Sequence, residues 1–166
     1  MVVVGKRHQF DWDEGVDAAA NARTNLSPLL ASYFTHMRKL LGKNPSPPEL
    51  HRLRLETKKL RYTLELFRPC YGPGLETRLA QLRNLQRMLG EVNDSAATVQ
   101  LLGKSMRPSA ERTRVETFLG TRAAEKAEAF RKHWTEVFDA QGCEGWWTTY
   151  LERQARAPGP RMPRAH

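Results

Sequence analysis

Cysteine is nearly missing from this chain: Cys70 and Cys143 are the only two in 166 residues, and they form no close pair. A disulfide scaffold or a thiolate zinc site is therefore excluded as an organising principle. Strand signals are as scarce, confined to Val2–Val4. No apolar run approaches the roughly 18 residues that a membrane span requires. The opening MVVVGKRHQF has an apolar stretch far too short for a secretory core. These absences lead to the expectation of a cytoplasmic, soluble protein without a membrane partner. Acid is also in deficit: 18 Asp+Glu stand against 27 Lys+Arg, a net charge of +9. Such a surplus draws polyanions, which leaves nucleic acid, an anionic membrane surface and inorganic polyphosphate as partner classes.

What is present is helical periodicity. Residues 1–15 read as an irregular lead-in. A first helix is expected from about Val16 to Leu41, kinked or broken at Ser27-Pro28. Gly42 suits a helix end, and Ser46-Pro47-Pro48-Glu49 carries the cap, first-turn prolines and acid that open a second helix, ending before Pro69. A third helix begins near Leu75 and runs through Val92, with Asn93-Asp94-Ser95 as continuation or local break. A loop over Lys104–Glu111 leads to a fourth helix, about Arg112 to Asp139. Residues 141–166 read as a basic, Pro/Arg-rich tail, expected to be disordered. Residues 16–140 thus define an all-α domain, a four-helix bundle of long antiparallel helices.

The second helix holds the most informative segment, HRLRLETKKLRYTLELF (His51–Phe67), with five Lys/Arg and one His in its first eleven residues. At about 100° per residue, Arg54, Lys58 and Arg61 share one stripe with His51, while Leu53, Leu60, Leu64 and Phe67 form a core-facing stripe on the opposite side. Leu55, Tyr62 and Leu66 make a second apolar stripe, which predicts neighbours on two sides of the helix. Arg52 and Lys59 are spaced to pair with Glu56. Arg54, Lys58 and Arg61 have no acid on their own face before Glu65. Their stripe spans about 15 Å, long enough for several phosphates of an extended chain. Spacing alone leaves two readings open. The stripe is a solvated face, tolerated because like charges one turn apart cost only about 0.2–0.5 kcal/mol per pair. Or it lines a groove, where desolvation makes a bound anion the natural counter-charge.

The spacing H-x-x-R-x-x-x-K-K-x-R-Y over His51–Tyr62 resembles the signature of the CHAD domain, the conserved histidine α-helical domain. LELF (Leu64–Phe67) and LAQLRNLQRMLGEVND (Leu79–Asp94) are similar to later segments of that family, and RAAEKAEAFRKHWTEVF (Arg122–Phe138) to its closing basic helix. The resemblance, over roughly residues 17–140, implies a helical bundle that binds inorganic polyphosphate without catalysing a reaction, in some cases at polyphosphate granules. It implies His51, Arg54, Lys58 and Arg61 as leading ligands and Lys59 next. Arg122 and Lys126 follow, and Arg83 and Arg87 are weaker. The family usually carries two such repeats around a cleft, whereas this chain holds one, so either two copies associate to rebuild the cleft, the homodimer expected here, or the groove stays open and binds more weakly.

Other chemistry finds little support. Gly103-Lys104-Ser105 is like the end of a phosphate-binding loop, but Thr98 occupies the place of its first glycine and no strand precedes it. HExxH and CxxC are missing, so His36 and His133 read as surface or bundle-edge residues and no metal or cofactor is expected. Asn93 and Asp94 read as a capping or inter-helix hydrogen-bonding pair, and Trp146 and Trp147 as packing residues. An enzyme acting on phosphoanhydrides is disfavoured for want of a magnesium-holding carboxylate cluster beside the basic stripe. A nucleic-acid-binding basic helical protein is the alternative, supported by the charge but lacking groove-reading or base-stacking side chains on the stripe.

Overall fold

The computed structural model describes residues 9–157, and these are all-helical, without a strand. Six α-helices follow one another: α1 (Ala18–Leu41), α2 (Pro47–Leu66), α3 (Arg68–Tyr71), α4 (Pro73–Ser105), α5 (Ala110–His133) and α6 (Cys143–Arg153). A π-helical segment, Trp134–Phe138, extends α5. The valine-rich start and the final nine residues lie outside the described part.

Local chemistry sets the helix starts. Asp17 caps α1 by accepting the Ala20 N–H at 2.7 Å. Ser46 and Glu49 form a capping box on α2, with Glu49 accepting the Ser46 N–H at 2.8 Å. Pro28 does not break α1, which is continuous across it. Ser27 is instead a buried contact, donating to Glu152 of α6 at 2.7 Å. Likewise α4 continues through Gly90 and Asn93-Asp94-Ser95 for 33 residues.

The core is one cluster. Leu53, Leu60 and Leu64 of α2 meet Leu79, Leu82, Leu85 and Leu89 of α4 and Leu26, Leu30 and Phe34 of α1. The π-helical turn closes this core by bringing Trp134 and Phe138 onto Phe34, at ring distances of 5.5 and 5.4 Å. Beyond Val92, α4 buries nothing further, and α5 buries only Phe130. The far ends of α4 and α5 therefore form a helical hairpin that leaves the core, with Leu101 and Phe118 exposed, and Ala127 and Phe130 mark where α5 rejoins it.

The segment after Gln141 departs most from expectation. Residues 143–153 form α6 and pack on α1. Gly142 opens it with a φ of 84°, a left-handed conformation that glycine adopts without a steric penalty. Trp147 and Leu151 are fully enclosed, and Trp147 lies 5.7 Å from Phe138. Charge fastens both ends of this element. Arg38 of α1 binds Asp139 and Glu144, the latter at 2.6 Å. Arg78 of α4 is buried between the faces of Trp146 and Tyr150, at 3.4 and 3.7 Å, and donates to the Trp146 carbonyl at 2.8 Å. Burial lowers the Arg78 pKa, yet the two rings supply the compensating negative faces. The composition that suggested a disordered tail is real, but Trp147, Tyr150 and Leu151 give residues 143–153 enough apolar surface to fold against the core.

Candidate anion-binding groove

The leucine stripe of α2 faces inward: Leu53, Leu60, Leu64 and Phe67 are all buried. This rotation turns Arg54 and Arg61 toward α4, whose own buried leucines turn Arg83 and Arg87 toward α2. The four arginines line one open depression of about 500 Å³ between the two helices. Asn93 ties the helices at its end, donating to the Leu50 carbonyl at 3.1 Å and to the Leu89 carbonyl at 2.8 Å.

The arginines differ in how they are held. Arg61 is nearly enclosed and fixed: its Nε donates to Gln86 Oε1 at 2.9 Å, its Nη1 pairs with Glu65 at 2.6 Å, and its guanidinium lies over Tyr62 at 4.3 Å. Arg83 reaches the same Glu65 at 3.3 Å and Glu76 at 3.7 Å. Arg87 pairs with Glu91 and donates to Asn84 at 3.0 Å. Arg54, half-buried, makes no ion pair among the described residues and lies beside Gly90. Glu91 and Asp94 also line the depression, so two carboxylates stand beside the basic stripe. Glu65 and Glu76 already pair with Arg61 and Arg83, and Glu91 with Arg87, so Arg54 is the groove arginine left without an ion pair among the described residues. No group of three or more His, Cys, Asp or Glu able to hold a metal ion exists among the described residues.

The remaining residues of the stripe fall elsewhere. Lys58 does not line the groove: its ammonium is 5.6 Å from the Tyr62 ring, and Lys58 and Lys59 line a second depression with Leu55 and Leu66. His51 and Arg52 are exposed at the start of α2. Arg122 stands over Phe118 on α5, at 5.7 Å, and neither it nor Lys126 lines the four-arginine groove. The second apolar stripe is not packed against another helix among the described residues: Leu55, Tyr62 and Leu66 are exposed, with only Arg61 and Lys58 over the Tyr62 ring. Glu56 meets His36 of α1 at 2.6 Å, a cross-helix pair that spacing within α2 does not reveal. His133 of α5 lies 3.3 Å from Asn84 of α4, its pKa lowered first by burial and then by Arg87.

An all-helical chain with cations gathered between two adjoining helices is a basic-groove helical protein. Its family follows from the sequence that builds the groove: the CHAD domain family model matches residues 6–103, and the chain belongs to that family. The match contains α1, α2, α3 and nearly all of α4, hence all four groove arginines, and stops before α5. No curated protein and no solved structure matches the chain. CHAD domains are associated in general with polyphosphate binding.

Proposed function

We propose that this chain binds inorganic polyphosphate, without turning it over, in the groove between α2 and α4. Arg54, Arg61, Arg83 and Arg87 are the central contacts in this reading, and Lys58 supplies a charge outside the depression. His51 and Lys59 extend the track along α2, while Arg122 and Lys126 are left as outer contacts at most. The four long helices α1, α2, α4 and α5 serve as the bundle that frames it. The observation that carries the reading is the convergence of four guanidinium groups on one depression, with Arg54 unpaired among the described residues. Guanidinium forks match phosphate oxygens, and an incoming polyanion would compete with Glu65 and Glu91 for Arg61, Arg83 and Arg87. The groove offers no aromatic platform for bases, since none of the residues lining it is aromatic.

Competition tests the reading against nucleic acid. Long-chain polyphosphate should displace duplex DNA from the protein, and DNA should fail to displace polyphosphate at equal phosphate concentration. Mutual displacement with equal strength would reduce the groove to a general polyanion surface.

A further inference from the structure

The outer face of α2 carries an apolar stripe that no other helix covers among the described residues. Leu55 is 49% exposed, Tyr62 47% and Leu66 78%. The stripe runs on without a gap: Leu66 borders the neighbouring depression beside Trp12, which is 51% exposed and packs 6.4 Å from Phe67. From Leu55 to Leu66 alone this is about 16 Å of helix. Contiguous apolar surface of this kind marks an interface more often than a free surface.

Charge at the two ends indicates what covers it. The Leu55 end is basic, with His51, Arg52, Lys58 and Lys59 exposed around it. The Trp12 end is acidic, with Asp11, Asp13 and Glu14 exposed. A surface that is apolar along its middle and opposite in charge at its ends is complementary to itself after a half-turn. We infer that the outer face of α2 docks a second copy of this chain, α2 against α2 in antiparallel sense about a two-fold axis near Tyr62. Lys58 and Lys59 of each copy then face the Asp11–Glu14 segment of the other, and the Leu55, Tyr62 and Leu66 stripes bury one another. Each contact occurs twice, as an isologous interface requires. The inference shares Lys58 and Lys59 with the outer track of the proposed polyphosphate site but uses none of the four groove arginines.

Sedimentation equilibrium of the full chain tests it. The wild type should show twice the 19.0 kDa monomer mass at micromolar protein. Leu66→Glu, at an exposed position outside the core, should halve that mass with an unchanged far-UV spectrum. A second arm does not depend on Leu66. Lys58→Glu/Lys59→Glu and Asp11→Lys/Glu14→Lys should each be monomeric, because like charges then meet across the axis. Mixed together, they should form a one-to-one heterodimer, because both contacts become opposite in sign again. A monomeric wild type, or mutual indifference of the two swapped variants, overturns the inference. A monomer that sediments with anionic phospholipid vesicles, and loses that with Leu66→Glu, assigns the face to a lipid surface and also overturns it. Arg54→Glu/Arg87→Glu, at groove positions without contact to the Leu55–Tyr62–Leu66 stripe, should leave the dimer intact, which separates this test from that of the groove.

Discussion

Arg54 of α2 lies beside Gly90 of α4 so closely that a Cβ added at Gly90 would meet Arg54 Nε at 3.7 Å. That is ordinary van der Waals contact, so alanine fits there and the groove floor tolerates a methyl group. Gly90→Ala should therefore stabilise the protein by about 0.5–1 kcal/mol through lost backbone freedom in the unfolded chain, with polyphosphate affinity unchanged. Gly90→Asp should place a carboxylate against Arg54 and weaken polyphosphate binding by about tenfold or more, the loss of one charged hydrogen bond at about 1.5–3 kcal/mol. Thermal melts and calorimetric titration of the two variants check both halves.

The stack of Trp146, Arg78 and Tyr150 makes a second prediction. Arg78→Ala removes a desolvated cation from between two aromatic faces, and Arg78→Lys keeps the charge without the planar fork. Urea denaturation should show a loss of about 2 kcal/mol or more for alanine and a smaller one for lysine. Equal losses would mean that charge alone, not stacking, fastens α6.

Because Trp147 and Leu151 are fully enclosed, α6 is part of the folding unit. Trp147→Ala should cost about 3–5 kcal/mol, the range for removing a buried large aromatic. A chain ending at Gln141 should lose cooperative unfolding or melt far below the full chain. A truncated chain that melts like the full one would show that α6 is dispensable.

Position 74 predicts a local clash of the same region. A Cβ at Gly74 would lie 2.9 Å from the Tyr150 ring and hydroxyl, and that hydroxyl is held by a 3.0 Å bond to the Tyr71 carbonyl. Gly74→Ala should therefore destabilise the protein, by about 1–3 kcal/mol as overpacking does, despite the better helix propensity of alanine. A melting temperature equal to or above wild type would contradict the packing.

His133 supplies a pH dependence and a reporter. Burial, and then Arg87, hold its folded pKa below the ordinary 6.5. The unfolded chain thus binds this proton first, so the associated stability is fully present above pH 6.5 and is lost as pH falls through the folded value. His133→Gln should flatten stability against pH on the acid side. An anion neutralising Arg87 should raise the His133 pKa, visible as a shifted imidazole titration by NMR when polyphosphate is added. An unmoved titration would place the ligand away from Arg87.

The second helix was legible because its determinants are local: a Ser-Pro-Pro-Glu start, a leucine period and a cationic stripe all lie within twenty residues. Their consequences hold in the structure, where the leucines are buried and Arg54 and Arg61 face α4. What stayed hidden depends on distant partners. Glu65 is shared by Arg61, Arg68 and Arg83, and only the α2–α4 packing brings the last of these to it. Arg83 and Arg87 ranked low because their spacing on α4 is unremarkable until α2 lies beside them. Helix α6 was missed because its anchors, Arg38, Arg78 and Phe138, come from α1, α4 and the π-helical turn. The sequence could have signalled it: Trp147, Tyr150 and Leu151 recur at helical spacing.

The central claim is that the α2–α4 groove holds polyphosphate. Titration of graded-length polyphosphates into wild type and Arg54→Glu/Arg61→Glu, at matched ionic strength and with far-UV spectra recorded, tests it most directly. The account predicts loss of binding in the double variant with helix content retained. Undiminished binding by a folded double variant would contradict it and move the site to other cations of the chain.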